Sequence, residues 1–144
     1  MNLYLDVCCL CRPFDDQRDP RIKLESTAVQ EILRLCTDTC TLISSEAIIE
    51  EISAIQDTTK RMRVEKVLSL AKKEIVLNDG IVARMHELIK MGGTAMDSLH
   101  IACAEYTGAL LLTTDDDLIT FYKSCNCIHI RIENPVIWLK ERSP

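Results

Sequence analysis

The segment TAMDSLHIACAEYTGALLLTTDDD, residues 94–117, contains a helix, a strand and the start of a second helix in direct succession. Thr94 can cap a helix, and the small and apolar residues that follow it predict that this helix is buried. Gly108 ends the helix, because glycine adopts the left-handed conformation found at helix C-termini. Residues 109–113 are the clearest buried strand of the chain, and Asp115 opens the next helix.

Short apolar segments alternate with helical patterns through the rest of the chain. Strands are predicted at residues 2–6, 41–43, 74–77 and 127–131, and a loop at residues 8–20, which contain prolines and several aspartates. Helices are predicted at residues 21–36, after Ser44 or Ser45, at 59–73, after Asp79 and from Pro135. The alternation predicts an α/β fold with a mostly parallel sheet covered on both faces. In such a sheet, functional residues lie beyond the carboxyl ends of the strands.

The composition fits one domain over residues 1–144 with an aliphatic core, because hydrophobic residues make up 47% of the chain and aromatic residues only 4%. The formal charge is -5, whereas proteins that attract nucleic acid over long distances are usually basic. The charge by itself therefore argues against a nucleic-acid partner. This argument weakens if the acids cluster around metal ions, since bound cations reverse the local sign of the charge.

The chain contains eight cysteines. Their spacings (CC, CxC, CxxxC and CxC) make poor zinc-ligand loops, so small buried hydrophobes are favoured over structural zinc. Asp6 interrupts the N-terminal apolar run, which argues against a signal peptide, and no segment has the roughly 20 apolar residues that span a bilayer. We therefore expect a cytoplasmic protein with reduced thiols and no membrane partner.

Two acidic residues directly follow predicted strands. Asp6 ends the apolar run at residues 3–5 and Asp115 follows the strand at residues 109–113, so both are expected at the same edge of the sheet. Burial of Asp6 would be costly unless the carboxylate is paired, and a metal ion removes that cost. From its position alone, Asp6 is equally well interpreted as a helix or turn cap.

Further candidate residues lie on predicted helices. Glu51 borders the apolar stripe of the helix that follows the second strand, although most helix glutamates are simply solvated. Asp97 is in the first turn of the helix after Thr94, where a carboxylate can cap the helix or bind a metal ion. His100 lies one turn further on the same face. It is a candidate metal ligand or a candidate hydrogen-bond partner of a ligand, but a packed histidine hydrogen-bonded to the backbone is the favoured interpretation.

The acidic residues carry more information as a group than one by one. Residues 115–117 are three consecutive aspartates, which repel one another unless a positive charge lies nearby. Hard cations such as Mg²⁺ prefer oxygen ligands and bind through a few carboxylates. Paired metal ions can activate water for cleavage of a phosphodiester bond, a reaction that needs acids from several strands and helices.

Four motifs occur in order along the chain: the strand that ends in Asp6, SSEAIIEE at residues 44–51, DSLHIA at 97–102 and LTTD at 112–115. In this order the chain resembles the PIN-domain nucleases, a family that includes the toxins of VapBC toxin–antitoxin systems. The resemblance extends from residue 3 to about residue 131. It implies a three-layer α/β/α sandwich, Mg²⁺ or Mn²⁺ in an acidic pocket, and endonuclease action on RNA.

The resemblance also implies a set of site residues. The catalytic and metal-binding acids fall on Asp6, Glu51, Asp97 and Asp115, with Glu50 as the alternative to Glu51. Asp117 is a further candidate metal ligand, and Arg12, Thr113 and Asp116 are candidate substrate-binding residues. Many PIN nucleases carry Thr-Asn after the first aspartate, where this chain has Val7-Cys8. The missing asparagine amide removes one polar contact near the metal ion.

The sequence therefore predicts a metal-dependent endoribonuclease that is the toxin of a toxin–antitoxin pair. Its partners would be RNA as substrate, a small antitoxin, and a second copy of the chain in a homodimer. The alternative is a catalytically weak or inactive PIN-domain protein that acts as an RNA- or protein-binding regulator, which the departure at Val7-Cys8 supports. A phospho-acceptor domain of the response-regulator type is disfavoured, because no lysine follows the strand at residues 109–113 or ends that at 127–131.

Overall fold

The computed structural model describes residues 1–142, so the last two residues of the predicted domain lie outside the described range. The strands are β1 (Asn2–Leu5), β2 (Thr41–Ser45), β3 (Lys73–Ile75), β4 (Leu110–Leu112) and β5 (Ile132–Glu133). Over the described residues they form one parallel sheet of five strands, in the order β3-β2-β1-β4-β5. The predicted fold class, an α/β/α sandwich around a parallel sheet, is confirmed.

Helices connect the strands, because parallel strands require a crossover between the end of one and the start of the next. The helices are α1 (Val7–Cys11), α2 (Pro20–Leu35), α3 (Glu46–Ser53), α4 (Thr58–Leu68), α5 (Asp79–Lys90), α6 (Ala95–Thr107), α7 (Asp116–Ser124) and α8 (Pro135–Arg142). A short 3₁₀ turn, Arg12–Phe14, follows α1. Within residues 1–142, no helix is both long and apolar enough to cross a membrane.

The core is centred on β1, the middle strand of the sheet. Leu3, Tyr4 and Leu5 have no solvent exposure at all. β2 and β4, which flank β1, contribute mainly aliphatic side chains, and Trp138 of α8 is the one tryptophan of the chain and is also buried. The composition predicted such an aliphatic core, and Tyr4 is a polar exception within it.

The segment predicted as a loop after β1 is in part a helix. Asp6 caps α1 by accepting a hydrogen bond from the Val7 backbone N–H at 2.8 Å, and Cys9 and Leu10 donate to the Asp6 carbonyl. The prolines of this segment do not prevent the helix, because Pro13 follows it and lies in the 3₁₀ turn. Only the part from Asp15 to Asp19 has no helical structure.

Two other boundaries were predicted wrongly. The charged helix α4 ends at Leu68, and the Lys72 N–H donates to the Leu42 carbonyl at 3.1 Å, which draws the chain to the sheet edge. The strand predicted at residues 127–131 begins at Ile132. Side chains bind the backbone before that point, since Arg84 donates to the Cys127 carbonyl at 2.7 Å.

Most predicted helix caps are confirmed. Thr94 accepts from the Asp97 N–H at 3.2 Å, Gly108 is left-handed with φ 65°, and Pro135 opens α8. Asp79, predicted to cap α5, is instead its first residue. The cap is Asn78, whose side-chain oxygen accepts from the Ile81 N–H at 2.9 Å.

Candidate metal centre

Asp6 is the first acid of the site, placed at the carboxyl end of β1. Its backbone N–H donates to the Leu112 carbonyl at 3.0 Å, which continues the pairing of β1 with β4 by one residue. The buried carboxylate accepts two hydrogen bonds at 2.8 Å, from the Val7 N–H to Oδ1 and from the Thr113 hydroxyl to Oδ2. Asp6 is thus a helix cap, as one interpretation of the sequence held, and its carboxylate is held rigidly at the sheet edge.

Glu51 approaches the same edge from the second turn of α3. That helix begins after β2, where the Ser45 hydroxyl accepts from the Ile48 N–H at 3.1 Å and so caps it. The Glu51 side chain is partly buried, and its Oε1 lies 2.8 Å from Nε2 of His100. Glu50, the alternative, is exposed to solvent. The helix geometry therefore favours Glu51 over Glu50 as the residue that faces the site.

His100 joins Glu51 to the interior of the sheet. It is buried on α6, with Nδ1 2.6 Å from the Tyr4 hydroxyl and Nε2 2.8 Å from Glu51. Tyr4 in turn lies 2.7 Å from the Ser45 hydroxyl. The expectation that His100 would bond to the backbone is wrong, because the nearest polar groups in this part of the core are side chains of β1, β2 and α3.

The proton positions on His100 follow from its partners. A carboxylate only accepts hydrogen bonds, so Nε2 carries the proton that is donated to Glu51. Burial disfavours the charged imidazolium, but the hydrogen bond to Glu51 and the negative charges of Asp6 and Asp97 outweigh burial and raise the pKa of His100. Burial raises the pKa of Tyr4, which keeps the phenol protonated.

Asp6, Glu51 and His100 form the tightest group of potential metal ligands among the described residues. One ligand atom of each lies within 4.8 Å of the other two, and Nε2 of His100 is 3.9 Å from Oδ1 of Asp6. The two carboxylates are oxygen donors that suit divalent cations of the Mg²⁺ and Mn²⁺ type, and the Nε2–H of His100 holds Glu51 in place beside Asp6. The donors present therefore fit a divalent metal ion.

Asp97 and Asp115 lie at the rim of this group rather than within it. Asp97 is half-buried in the first turn of α6, and burial together with the negative charges of Asp115 and Asp6 raises its pKa against the lowering effect of Thr94. Asp115 caps α7 by accepting from the Asp117 N–H at 2.9 Å, and its own N–H donates to Thr113 at 3.0 Å. The hydroxyl of Thr113 thus connects Asp6 to Asp115.

The other predicted site residues have different surroundings. Asp116 is exposed and forms an ion pair with Arg21 at 2.8 Å, which lowers the pKa of the carboxyl through that hydrogen bond. Asp117 is also exposed. Arg12 donates from Nε to Glu25 at 2.9 Å and from Nη1 to Asp15 at 3.0 Å. Neither Asp116 nor Arg12 is brought into the group formed by Asp6, Glu51 and His100.

The family of the chain is decided by comparison with known domains. The family model of the PIN domain matches residues 3–123, most of the chain. The chain belongs to the PIN domain family. The matched range contains all four of the acids predicted from the sequence, Asp6, Glu51, Asp97 and Asp115.

Solved structures share the fold at low sequence identity. A chain of VapBC2 from Rickettsia felis, bound to a DNA fragment from their promoter, has a TM-score of 0.68 and 16% identity, covering 93% of this chain and 98% of that one. FitAcB from Neisseria gonorrhoeae has a TM-score of 0.62 and 15% identity, covering 92% of this chain and 97% of that one. VapBC-1 from nontypeable Haemophilus influenzae has a TM-score of 0.59 and 15% identity, covering 94% of this chain and 98% of that one. No curated protein matches the chain.

Three residues of the site were not found from the sequence. The Tyr4 hydroxyl contacts His100, and the Ser45 hydroxyl contacts Tyr4. The only sequence signal for this pair was the presence of hydroxyl groups within strands that are mainly apolar. Cys8 lies in the departure from the Thr-Asn pattern, and its Sγ is 3.4 Å from both Asp6 Oδ2 and the Thr113 hydroxyl. In this PIN domain a thiol therefore contacts the first carboxylate directly.

Proposed function

We propose that this PIN domain is a metal-dependent endoribonuclease that hydrolyses RNA phosphodiester bonds and is the toxin of a toxin–antitoxin pair. The observation that carries the proposal is the convergence of Asp6, Glu51 and His100, with Asp97 and Asp115 at the same sheet edge. Asp6 is buried, and among the described residues none of these four acids forms a salt bridge with a lysine or arginine, so a bound cation would stabilise the group. Phosphodiester hydrolysis is a reaction that such a cation serves.

The proposed ligands of Mg²⁺ or Mn²⁺ are Asp6, Glu51, Asp97 and Asp115, with Asp117 as a further candidate. When bound, the ion would lower the pKa of a water nucleophile and neutralise charge on the phosphate. His100 supports this set without joining it, because the Nε2 proton that it donates to Glu51 leaves no lone pair on that nitrogen for an ion.

The chain's own contribution is to orient the carboxylates before any ion or substrate arrives. The Val7 N–H and the Thr113 hydroxyl each bind one oxygen of Asp6, so its carboxylate cannot rotate. Nε2 of His100 donates to Glu51, and Nδ1 of the same ring is held by the Tyr4 hydroxyl. These contacts leave Glu51 able to accept a proton from water at the oxygen that His100 does not occupy.

Binding of RNA beyond the metal centre involves residues that are otherwise engaged. Arg12 and Asp116, proposed to contact substrate, form ion pairs with Glu25 and Arg21. Contact with RNA would require these pairs to exchange partners. Thr113 is buried and bonded to Asp6, so its proposed role toward the substrate is exerted through the orientation of Asp6.

An antitoxin partner, a homodimer and a cytoplasmic location are part of the same proposal. The likeness to chains of VapBC2, FitAcB and VapBC-1 supports an antitoxin partner, because each of these names denotes a toxin together with its antitoxin. The alternative is a catalytically weak domain that binds RNA or protein as a regulator. The contact between Cys8 and Asp6 favours this alternative, since a thiol is a poorer hydrogen-bond partner than an amide.

The test is cleavage of mixed RNA substrates by the purified protein with Mg²⁺, Mn²⁺ or EDTA. We expect cleavage that requires a metal ion and is lost in Asp6→Asn and Asp97→Asn. The matched control is Asp38→Asn, an exposed aspartate in the turn before β2, at the opposite edge of the sheet. Cleavage that persists in Asp6→Asn and Asp97→Asn, or in EDTA, would reject the proposed site. An inert wild type that still binds RNA would favour the regulator.

A further inference from the structure

Three sulfur atoms meet at the surface, away from the carboxylates of the candidate metal centre. Sγ of Cys127 lies 3.0 Å from Sγ of Cys125 and 3.0 Å from Sδ of Met91, and Sγ of Cys125 lies 3.5 Å from the same Sδ. Met91 directly follows α5, whereas the two cysteines follow α7, so the cluster joins two parts of the chain that are distant in sequence. The convergence is therefore a product of the fold and not of sequence spacing alone.

The segment that carries the two cysteines is held in place by a partly buried ion pair between Arg84 and Glu105. Arg84 of α5 donates to the Cys127 carbonyl at 2.7 Å and to Glu105 of α6 at 2.8 Å. Glu105 in turn accepts from the His129 backbone N–H at 3.0 Å. These two bonds, at Cys127 and just after it, fix this part of the segment against α5 and α6 and keep the cysteine sulfur atoms next to Met91.

The sulfur cluster is accessible from solvent. Met91 is 49% exposed, and both cysteines are only partly buried, unlike the fully buried Cys9 and Cys103 of the core. Small buried hydrophobes, the interpretation favoured for the cysteines from the sequence, therefore do not describe this pair. A dissolved ion or a carrier can reach these sulfur atoms without any opening of the fold.

We propose that Met91, Cys125 and Cys127 form a binding site for a soft monovalent cation, Cu(I). Two thiols and a thioether contain no hard donor, and this combination selects Cu(I) over Mg²⁺ or Mn²⁺. Zinc sites use thiolate, imidazole and carboxylate ligands, so the thioether argues against zinc. The site is independent of the proposed nuclease activity, because none of its three ligands belongs to the carboxylate centre.

The geometry and the charge are compatible with a three-coordinate ion. A metal–sulfur distance of about 2.3 Å in a trigonal arrangement needs sulfur separations of about 4 Å. The two separations of 3.0 Å must therefore widen by about 1 Å, and that of 3.5 Å by less. Rotation of the exposed Met91 side chain widens its two separations, and rotation of a partly buried cysteine side chain about χ1 widens the one between the thiols. On binding, each thiol releases its proton to solvent and each thiolate donates an electron pair to Cu(I), so no electron is transferred. The guanidinium of Arg84, 4.0 Å from Sγ of Cys127, offsets the remaining negative charge.

The test is competition for Cu(I) under anaerobic conditions between the reduced full-length protein and a chromogenic chelator. Wild type is compared with Cys125→Ser, Cys127→Ser and Met91→Leu, and with Met62→Leu as the control, an exposed methionine on α4. We expect wild type and Met62→Leu to retain the copper against the chelator. Both serine variants should lose this copper, and Met91→Leu should hold it more weakly.

A second measurement separates this site from adventitious binding to the remaining thiols. X-ray absorption of the copper-loaded wild type should show a shell of sulfur alone at about 2.3 Å. Circular dichroism of each variant establishes that it is folded before copper binding is compared. Copper retained equally by the serine variants, release of all copper to the chelator by wild type, or a shell with nitrogen or oxygen would each overturn the proposal.

Discussion

Two buried carboxylates of this protein, Glu25 and Asp6, are neutralised in different ways. Glu25 is 2% exposed and accepts from Arg12 at 2.9 Å, from Arg21 at 3.2 Å and from Asn134 at 2.8 Å. Asp6 is 6% exposed but accepts from the neutral Val7 N–H and Thr113 hydroxyl, and among residues 1–142 no lysine or arginine forms a salt bridge with it.

The difference distinguishes a structural acid from a candidate metal ligand. The charge of Glu25 is cancelled within the chain, and its bonds join α2 to the 3₁₀ turn and to the start of α8. Asp6 has the negatively charged Glu51 as its neighbour instead of a lysine or arginine. His100 can offset at most part of the negative charge of these two carboxylates. A carboxylate that is buried, oriented and without a lysine or arginine partner is the kind of group for which we propose an external cation.

The largest effect is expected from removal of the structural acid. Glu25→Ala leaves Arg12 and Arg21 without their shared partner, and we expect the free energy of unfolding to fall by about 3 kcal/mol, the low end for a buried pair because both arginines are partly exposed. Urea denaturation measures this loss. Glu31→Ala, on the same helix with an exposed partner in Arg34, is the control and should change stability by less than about 0.5 kcal/mol. Equal losses in the two variants would contradict the assignment.

The next largest effect is the stabilisation of the folded state by Mn²⁺, which we expect to depend on Asp6. At an Mn²⁺ concentration 100 times its dissociation constant, wild type should gain about 2.7 kcal/mol of stability, because the ion binds only the folded state. Asp6→Asn should lose this gain, and Asp38→Asn should keep it. Thermal unfolding with and without Mn²⁺ measures both.

The same variants also distinguish the two buried acids without any metal ion. Metal-free Asp6→Asn should unfold within about 1 kcal/mol of wild type, since the amide oxygen can still accept a hydrogen bond and the repulsion from Glu51 is relieved. A metal-free loss as large as that of Glu25→Ala would mean that Asp6 is only a cap of α1.

The features of the site that can be predicted from the sequence are those determined by residues close to them along the chain. The position of Asp6 follows from an apolar run and the acid that ends it, and parallel pairing of β1 with β4 brings Thr113 and Asp115 beside it. The caps at Thr94 and Gly108 depend on backbone conformations that only a few residue types favour. Such signals lie within a few residues of the feature they predict.

The parts that could not be predicted depend on partners distant in sequence. Arg12 was interpreted as a substrate-binding residue, but its nearest acid, Glu25, lies on another helix. His100 meets Tyr4 across 96 residues, and nothing in the helix pattern indicates that contact. The acids of the site are visible in sequence as residue types at strand ends, whereas the charges that neutralise or fail to neutralise them are visible only in three dimensions.

The smallest effect is expected from Tyr4, which contacts His100 but is not itself a proposed metal ligand. Tyr4→Phe removes the hydroxyl that contacts His100 at 2.6 Å and Ser45 at 2.7 Å, so we expect stability to fall by only about 1 kcal/mol. The affinity for Mn²⁺ should fall by about tenfold, because the ring of His100 loses the contact that orients it toward Glu51. Tyr106→Phe, an exposed tyrosine on the same helix as His100, should change neither quantity. A loss of stability in Tyr4→Phe with unchanged affinity would make the Tyr4–His100 contact a core hydrogen bond like those of Glu25, and would leave Asp6 and Glu51 to bind the ion without help from the interior.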